Sequence, residues 1–381
     1  MPVLHVVAPF HRTPSSKYSD CPFSGKALRL PAMMRPLGYR VVEYANAGSE
    51  SEADEKVEIL PESDFQGQAP QVGMSVRTPF GEEMWRMFGP SLWQAFDAVL
   101  TAEITARVRP GDFVVHTFGA THAHLVHELP QAIHVELGVG YQDAPFGAFR
   151  VYESDSWRHY HWGAADASGM QYPDKDRSLS WVVPMSFDVS EWPVGRGDGG
   201  YALLASRMVP DKGLAVIGRL LADVPDLVVH AVGTPTPELE GLLAGLPAGA
   251  RDRLVLRGRI VGTARAEVYG KAFCCLMPTL YAEPFGASGV EAMLCGTPLV
   301  ASDWGAFRAN VGARSGTAYG RGGTVCRTAA QFADAVRVER STERNLVAAY
   351  ARSRFDMHRA AAQYDEILKE IASLRGNSAP A

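Results

Sequence analysis

Residues 283–298 read Glu-Pro-Phe-Gly-Ala-Ser-Gly-Val-Glu-Ala-Met-Leu-Cys-Gly-Thr-Pro, a tight loop followed by a helical stretch. Pro and Gly favour the loop at the start, and Gly-Thr-Pro ends the helix that we expect to begin at Ser288. A helix that opens on such a loop offers free backbone N–H groups to an anion such as a diphosphate. Glu283 and Glu291 could then accept hydrogen bonds from sugar hydroxyls on either side of that anion.

The same residues also allow a purely structural interpretation. Ser288-Gly-Val-Glu291 fits a capping box, in which the Glu side chain folds back onto the helix N-terminus and meets no ligand. The loop by itself does not separate the two interpretations, so the decision depends on the rest of the chain.

The length and composition of the chain suit two globular domains. It has 381 residues, of which 46% are hydrophobic and 21% charged, enough to bury two cores. We find no apolar run of membrane-spanning length and no signal-peptide pattern. The five cysteines show no CxxC spacing, which favours reduced core cysteines in a cytoplasmic protein.

The charges are unevenly distributed. The net charge of −5 argues against a general nucleic-acid-binding surface. Residues 1–42 carry six basic side chains against the single acid Asp20, so this basic lobe could face phosphate, although a solvated mixed surface is the alternative. Residues 43–64 carry eight acids, and the stretch 47–71 lacks periodicity, which predicts a surface loop.

Short β-rich runs alternate with helical stretches, and the pattern occurs twice. The runs are Val3–Val7, Arg40–Tyr44, Asp112–Thr117, Ala132–Glu136, Phe149–Glu153, Trp181–Pro184, Tyr201–Ser206, Leu227–Val232, Leu254–Arg257, Cys274–Pro278, Leu299–Ser302 and Thr324–Cys326. This pattern predicts an α/β protein with two doubly wound, Rossmann-like domains facing each other across a cleft. We expect one domain at 1–187, with a C-terminal helix at about 355–375 packing back on it, and the other at 188–354.

A second loop carries cations at the start of the second domain. Ala205-Ser206-Arg207-Met208-Val209-Pro210-Asp211-Lys212-Gly213 follows the first strand of that domain. An Arg fork together with a Lys point charge suits a diphosphate. The alternative is that the Arg only ends a strand and the Lys is solvated. This alternative is less favoured because this loop and the loop at 283–298 both follow strands of the same domain.

These motifs carry a resemblance to a known family. Ser206-Arg207…Lys212-Gly213 followed by Glu283–Pro298 resembles the donor domain of family 4 (group 1) retaining glycosyltransferases of the GT-B fold. Val232-Gly233-Thr234-Pro235, Arg257-Gly258-Arg259-Ile260 and Met277-Pro278-Thr279 fall in the family's usual order. The resemblance covers most of residues 180–305 and makes 188–354 the donor-binding domain and 1–187 the acceptor side.

The resemblance implies roles for named residues. Arg207 and Lys212 would hold the donor's diphosphate, Glu291 would accept from ribose hydroxyls, and Glu283 would orient the transferred sugar. The implied catalytic residues are Glu283, Arg207, Lys212 and His116. The implied donor-binding residues are Gly25, Arg207, Lys212, Arg259, Ile260, Glu283, Phe285, Gly286, Ala287, Ser288 and Glu291. Enzymes of this fold need no metal, so we expect neither metal nor cofactor, only a nucleoside-diphosphate sugar as co-substrate.

The N-terminal half resembles, more loosely, glycosyltransferases of phages and some bacteria. Phe23-Ser24-Gly25-Lys26 stands where the family often has a Gly-Gly loop, so Gly25 would let the backbone meet the phosphate. Asp112-Phe-Val-Val-His116 resembles a strand whose terminal His reaches the donor sugar, and a strand-end His with its own partner is the alternative. The residues predicted on the acceptor side are Lys26, Gly140 and Tyr141.

The resemblance implies a metal-independent, retaining transferase of the hexosyltransferase type. Its acceptor could be a glycan, a small molecule, a protein or a hydroxymethylated DNA base, and the net charge does not favour DNA. The sequence does not specify the donor's base or sugar, or the oligomeric state. A sugar-nucleotide epimerase on the same fold and a non-catalytic sugar-nucleotide binder are the alternatives. Asp174 and Asp176 form an acidic pair without a clear ligand geometry.

Overall fold

The computed structural model describes residues 2–61, 63, 80–141, 146–168 and 179–376. These residues divide into two compact units. The first unit contains the chain up to residue 186 together with residues from 357 onward, and the second contains residues 187–356.

The first unit is built on a seven-stranded parallel sheet. Its strands are β1 (Val3–Val7), β2 (Arg40–Ala45), β3 (Glu55–Glu58), β4 (Phe113–His116), β5 (Ile133–Val139), β6 (Phe149–Tyr152) and β7 (Ser180–Val182). Four helices belong to the same part of the chain, α1 (Pro22–Met34), α2 (Phe80–Thr105), α3 (Leu125–Glu128) and α4 (Asp155–Ser168). The strand order β3-β2-β1-β4-β5-β6-β7 is that of a doubly wound sheet.

The second unit repeats this plan. Its strands are β8 (Ala202–Ala205), β9 (Val229–Val232), β10 (Leu254–Gly258), β11 (Cys274–Met277), β12 (Leu299–Ser302), β13 (Tyr319–Gly320) and β14 (Gly323–Cys326). Its helices are α5 (Leu214–Asp223), α6 (Pro237–Ala244), α7 (Ala248–Arg251), α8 (Ala264–Lys271), α9 (Ala287–Leu294), α10 (Phe307–Val311), α11 (Ala329–Glu339) and α12 (Arg344–Phe355). The order is β10-β9-β8-β11-β12-β14-β13, parallel except for the short hairpin of β13 with β14.

The last helix, α13 (Met357–Gly376), belongs to the first unit. Its apolar residues recur at helical spacing and join the core formed by α1 and the strands of that unit. Two polar contacts fix it further, from Tyr39 Oη to Asp365 at 3.0 Å and from Trp181 Nε1 to Glu370 at 3.0 Å.

The two sheets confirm the predicted α/β class with two doubly wound domains. Central strands such as β8 and β11 are buried along their whole length, which explains why they read as continuous apolar runs. The predicted surface loop at 47–71 is wrong in one part, because β3 pairs in parallel with β2. Only Val57 of its four residues is buried, as an edge strand allows.

The basic N-terminal residues do not form an open cationic surface. Four of the six are paired with carboxylates of the same unit. The pairs are Arg12–Asp20 at 3.6 Å, Lys26–Glu153 at 2.9 Å, Arg35–Asp54 at 2.8 Å and Arg40–Glu55 at 2.8 Å. Two of these carboxylates, Asp54 and Glu55, belong to the acidic stretch, and the pairing favours the alternative of a mixed, solvated surface. Among the described residues, no helix combines the length and the apolar character needed to cross a membrane.

Candidate functional site

The second unit changes winding direction between β8 and β11. These strands are neighbours, and the later strands extend away from them on opposite sides, β9 and β10 on one side and β12 and β14 on the other. In open α/β sheets, ligands bind outside the carboxyl ends of the strands at such a point. The loops that follow β8 and β11 are the two that the sequence motifs singled out.

Gly213 brings these two loops together. Its backbone is left-handed, with φ of +82°, and a Cβ atom here would lie 2.0 Å from the carbonyl oxygen of Pro278. Glycine is therefore required for the loop after β8 to pass against the end of β11. Gly213 also precedes α5, so Lys212 is held just where the two strands end.

Lys212 is the centre of a buried polar cluster. Its Nζ donates to Glu283 Oε2 at 2.7 Å and to the hydroxyl of Tyr281 at 2.6 Å. Lys212 and Glu283 are each 8% exposed. Burial lowers the pKa of Lys212, against the attraction of Glu283, and the nearby positive charge of Arg207 lowers it further. The cluster joins Lys212 and Glu283, which the motifs could place only loop by loop, and adds Tyr281.

The helix α9 begins at Ala287, one residue before the predicted start, and its N-cap is Gly286 with φ of +85°. A Cβ at Gly286 would lie 2.6 Å from the ring of Phe307, so glycine is again required. Among the residues that the structure describes, no side chain caps this helix. The amide of Gly289 donates to the Gly286 carbonyl at 3.0 Å, so the amides of Ala287 and Ser288 are the donors that the start of α9 offers to an anion.

The capping-box interpretation of Glu291 is wrong. Its Oε2 accepts hydrogen bonds from the guanidinium of Arg265 and, at 3.0 Å, from the hydroxyl of Tyr269. Both partners lie on α8. Glu291 is 5% exposed and lies one turn beyond the start of α9. The carboxylate is thus held by a neighbouring helix and does not fold back onto its own.

The loop between Glu283 and Glu291 is held in place by the packing of Phe285. Phe285 is buried among the rings of Phe187 and Phe355, and its carbonyl accepts from Asn310 Nδ2 at 2.6 Å. A Cβ on Gly305 would lie 2.5 Å from the amide nitrogen of Glu283. Phe285 can therefore meet a ligand through its backbone only, while its side chain fixes the loop.

The remaining predicted donor residues lie at the same sheet edge. Arg207 is half-buried and follows β8, next to Gly233, whose Cβ would lie 2.1 Å from the carbonyl oxygen of Ser206. Arg259 is exposed and Ile260 half-buried, and they follow β10, two strands from β8. The structure places most of the predicted donor-binding residues, here called the core set, around the start of α9. Arg259 and Ile260 lie further away, after the outer strand β10. The core set is Arg207, Lys212, Glu283, Gly286, Ala287 and Ser288.

Three site residues escaped sequence reasoning, namely Tyr281, Arg265 and Tyr269. Tyr281 stands two residues before Glu283 and only the fold shows that its hydroxyl meets Lys212. Arg265 and Tyr269 are 26 and 22 residues from Glu291 along the chain. Their spacing of four residues puts them on one face of α8, which was the only available signal.

The structure contradicts the placement of Gly25. The residue lies inside α1 and not in the loop after β1, and its amide donates to the carbonyl of Cys21 at 3.0 Å. That amide is therefore not available to a phosphate. The segment between β1 and α1 spans residues 8–21, and the sequence alone did not show where in it the helix begins.

His116 lies at the end of β4, as expected, but in the core. Its Nε2 is 3.0 Å from Nδ1 of His134, and Phe146 packs edge-on against its ring. Burial lowers the pKa of His116 well below its ordinary value. The contact with His134 favours the alternative interpretation, a strand-end His with its own partner.

The acceptor-side candidates form two polar clusters in the first unit. Lys26 Nζ donates to the Gly138 carbonyl at 2.5 Å and to Glu153 Oε1 at 2.9 Å, beside a cavity of about 30 Å³. Glu153 also explains why residue 140 is a glycine, because a Cβ atom on Gly140 would lie 2.2 Å from Glu153 Oε2. Tyr141 belongs to the second cluster and is buried.

In that second cluster, the Tyr141 hydroxyl donates to Glu136 Oε1 at 2.6 Å. The backbone amides of Phe146 and Gly147 donate to Glu136 Oε2 at 3.1 and 2.9 Å. Burial raises the pKa of Glu136 to about 7. Among the residues that the structure describes, no group of three or more His, Cys, Asp or Glu side chains is arranged to hold a metal. Asp174 and Asp176 lie outside the described residues.

Comparison with known proteins finds sequence similarity over part of the chain. Residues 201–338 match the family model for glycosyl transferases group 1. An uncharacterized glycosyltransferase of Methanocaldococcus jannaschii is 31% identical over 136 residues, which is 34% of this chain and 33% of the relative. The D-inositol 3-phosphate glycosyltransferase of Geodermatophilus obscurus is 37% identical over 113 residues, 27% of this chain and 24% of the relative. The aligned segments thus span a third of these relatives or less.

Solved structures resemble the chain over nearly its whole length. The catalytic domain of starch synthase IV from Arabidopsis thaliana, bound to ADP and acarbose, has a TM-score of 0.69 at 13% identity, covering 98% of this chain and 99% of that one. The Anabaena protein HepE in complex with UDP has a TM-score of 0.65 at 16% identity, covering 97% and 100%. Likeness at this identity shows the fold, and it confirms the predicted GT-B class. The match of residues 201–338 is to the family that the sequence motifs resemble.

Proposed function

We propose that this protein is a retaining glycosyltransferase that moves a sugar from a nucleoside-diphosphate sugar to a hydroxyl group, without a metal ion. The observation that carries the proposal is the buried Lys212–Glu283 pair beside the uncapped start of α9. A cation, the first backbone N–H groups of α9 and a carboxylate converge where a doubly wound sheet binds its ligands.

The diphosphate is the part of the donor that this arrangement suits best. Lys212 and Arg207 follow β8, and the first amides of α9 follow β11, so positive groups flank one position from both strands. Charge-assisted hydrogen bonds to phosphate contribute about 1.5–3 kcal/mol each. Relatives of known structure bind UDP in one case and ADP in another, which supports a nucleoside diphosphate without choosing the base.

Sugar transfer breaks the bond between the anomeric carbon and the β-phosphate oxygen and forms a bond from that carbon to the acceptor oxygen. Negative charge grows on the leaving diphosphate, and Lys212 and Arg207 stabilise it where it develops. The acceptor hydroxyl gives its proton to the departing phosphate oxygen. We infer attack from the same face, because Glu283 is bound to Lys212 and serves to orient sugar hydroxyls, and no motif supplies another carboxylate nucleophile.

A neutral or phosphate-free acceptor is favoured for this chain. The N-terminal cations that could have met a nucleic acid are largely paired with Asp20, Glu153, Asp54 and Glu55. We therefore propose a glycan, small molecule or protein hydroxyl ahead of a hydroxymethylated DNA base. We place the protein in the cytoplasm, in keeping with five free and buried cysteines.

The first experiment is a thermal-shift screen of the purified protein against UDP-, GDP-, ADP- and TDP-sugars, with EDTA and then with Mg²⁺. We expect one nucleotide series to raise the Tm equally in both buffers. In Lys212→Ala and Glu291→Ala, donor affinity and turnover should each fall about tenfold or more, the scale of one charged hydrogen bond.

Arg219→Ala is the matched control, because Arg219 forms an exposed pair with Asp223 on α5, away from the strand ends. Stabilisation that requires Mg²⁺ would contradict metal independence. Unchanged kinetics in both site variants would overturn the donor site. Release of the nucleoside diphosphate only when an acceptor is added would separate transfer from epimerisation. The anomeric configuration of the product, measured by NMR, would test retention.

A further inference from the structure

Glu291 has one oxygen occupied and the other open. Both of its hydrogen bonds, from Arg265 and Tyr269, go to Oε2. Within the described part of the chain, no hydrogen bond reaches Oε1. The carboxylate is therefore fixed through one atom, and the second atom is left to accept from a ligand.

Arg265 is itself held rigidly. It is 7% exposed, and its guanidinium lies 5.8 Å from the centre of the Trp192 ring and 5.6 Å from that of Tyr269. It also donates to the Tyr269 hydroxyl at 3.2 Å, and the Tyr269 and Trp192 rings stack at 5.9 Å. Cation–π contacts at these distances and a buried aromatic frame leave the guanidinium little freedom.

We propose that Arg265 is the positioning residue for recognition of the donor's ribose. It neutralises the buried carboxylate of Glu291 and fixes Oε2, so that Oε1 accepts from the ribose hydroxyls of a nucleoside diphosphate. This inference rests on the proposed function, because it needs a nucleotide at the start of α9. Under this proposal, a residue of α8, outside the two motif loops, contributes to donor specificity.

The physical consequence is a preference for intact ribose. A hydroxyl that donates to a carboxylate held in place gives a charge-assisted hydrogen bond, and its removal costs about tenfold in affinity or more. If the carboxylate is no longer held, it loses the geometry that makes this bond, and the preference shrinks. Affinity for a nucleotide without these hydroxyls depends on the phosphate contacts and should change little.

The test is titration calorimetry with UDP, ADP and GDP and with their 2′,3′-dideoxy forms. Whichever base binds, we expect the wild-type protein to prefer the ribose form by about tenfold or more. In Arg265→Gln the preference should fall to about threefold or less, with dideoxy affinity within about twofold of wild type. Arg219→Gln, which removes an exposed Arg–carboxylate pair of the same unit, should keep the full preference.

If Arg265→Gln does not fold, Arg265→Lys takes its place, because a point charge cannot hold Oε2 as the planar fork does. A full ribose preference in a folded Arg265 variant would overturn the inference and leave the proposed function standing. A wild-type protein that binds neither these three nucleoside diphosphates nor TDP would overturn the proposed function itself. Equal loss of ribose and dideoxy affinity would show a merely structural role and would also overturn the inference.

Discussion

The ammonium of Lys212 lies 2.7 Å from Oε2 of Glu283, although 71 residues separate them in the chain. One follows the first strand of the second unit and the other follows β11, so the pair exists only because the sheet places these strand ends side by side. Both side chains are about a tenth exposed. Because the pair is buried, removing either partner should affect both the stability of the fold and the activity of the site.

Removing the lysine should therefore destabilise the protein as well as inactivate it. In Lys212→Met the Glu283 carboxylate stays buried without its cation, and we expect the free energy of unfolding to fall by about 3–5 kcal/mol. In Lys212→Met/Glu283→Gln no unpaired charge remains, so most of that stability should return. Urea unfolding measures both, and activity should stay lost in both variants.

The matched control is the exposed pair of Arg219 and Asp223 at 2.6 Å. Arg219→Met should change the free energy of unfolding by less than about 1 kcal/mol, as is usual for surface pairs. Recovery of activity together with stability in the double variant would count against a catalytic use of Lys212.

Donor binding should weaken at alkaline pH. Burial lowers the pKa of Lys212 below its ordinary value of 10.5, so the ammonium loses its proton while the pH is still below that value. We expect the Kd for a nucleoside diphosphate to rise as the pH rises through this window. Lys212→Arg should abolish the rise, because a guanidinium stays protonated there. The same pH slope of Kd in both proteins would show that another group is responsible.

Substitution of Gly213 should lower the stability of the protein by more than its left-handed backbone angle alone would cause. In Gly213→Ala the new Cβ would lie 2.0 Å from the Pro278 carbonyl oxygen, so strain and overlap add to about 3 kcal/mol of lost stability. Gly316 has nearly the same φ, +80° against +82°, but nothing within 4 Å of its Cβ position. Gly316→Ala should thus cost only about 1–2 kcal/mol. Thermal unfolding compares the two, and equal losses would refute the close approach of the loops.

The elements that could be predicted from the sequence are those with a strong local pattern. Buried strands such as β8 and β11 are continuous apolar runs, and the loop before α9 is specified by its own Pro and Gly residues. β3 escaped because an edge strand needs only one buried residue, Val57, and its charged neighbours resemble a loop.

The parts of the site that could not be predicted depend on helix packing. Glu291 could have capped its own helix, and local sequence favours neither outcome. The choice is made by α8, which brings Arg265 and Tyr269 against α9 and supplies a stronger, charge-assisted partner. Gly25 was misplaced for a related reason, since the long segment between β1 and α1 has no periodic pattern that fixes where the helix begins.

Glu136 should make the protein less stable as the pH rises towards neutrality. Burial raises its pKa from 4.5 to about 7, so between these values the folded protein holds a proton that the unfolded chain releases. The unfolded state then binds fewer protons, and the free energy of unfolding falls with rising pH, by up to about 3 kcal/mol across this window. Glu136→Gln has no such titration and should lack the fall.

Urea unfolding of the two proteins at pH 5 and pH 8 measures this difference. The free energy of unfolding of Glu136→Gln minus that of the wild type should rise by about 3 kcal/mol from pH 5 to pH 8. Glu128→Gln, on an exposed position of α3, should follow the wild type at both values. The amides of Phe146 and Gly147 and the Tyr141 hydroxyl all donate to this carboxyl. If these three donors outweighed burial, the carboxylate would be ionised at pH 5 and the predicted rise would be absent.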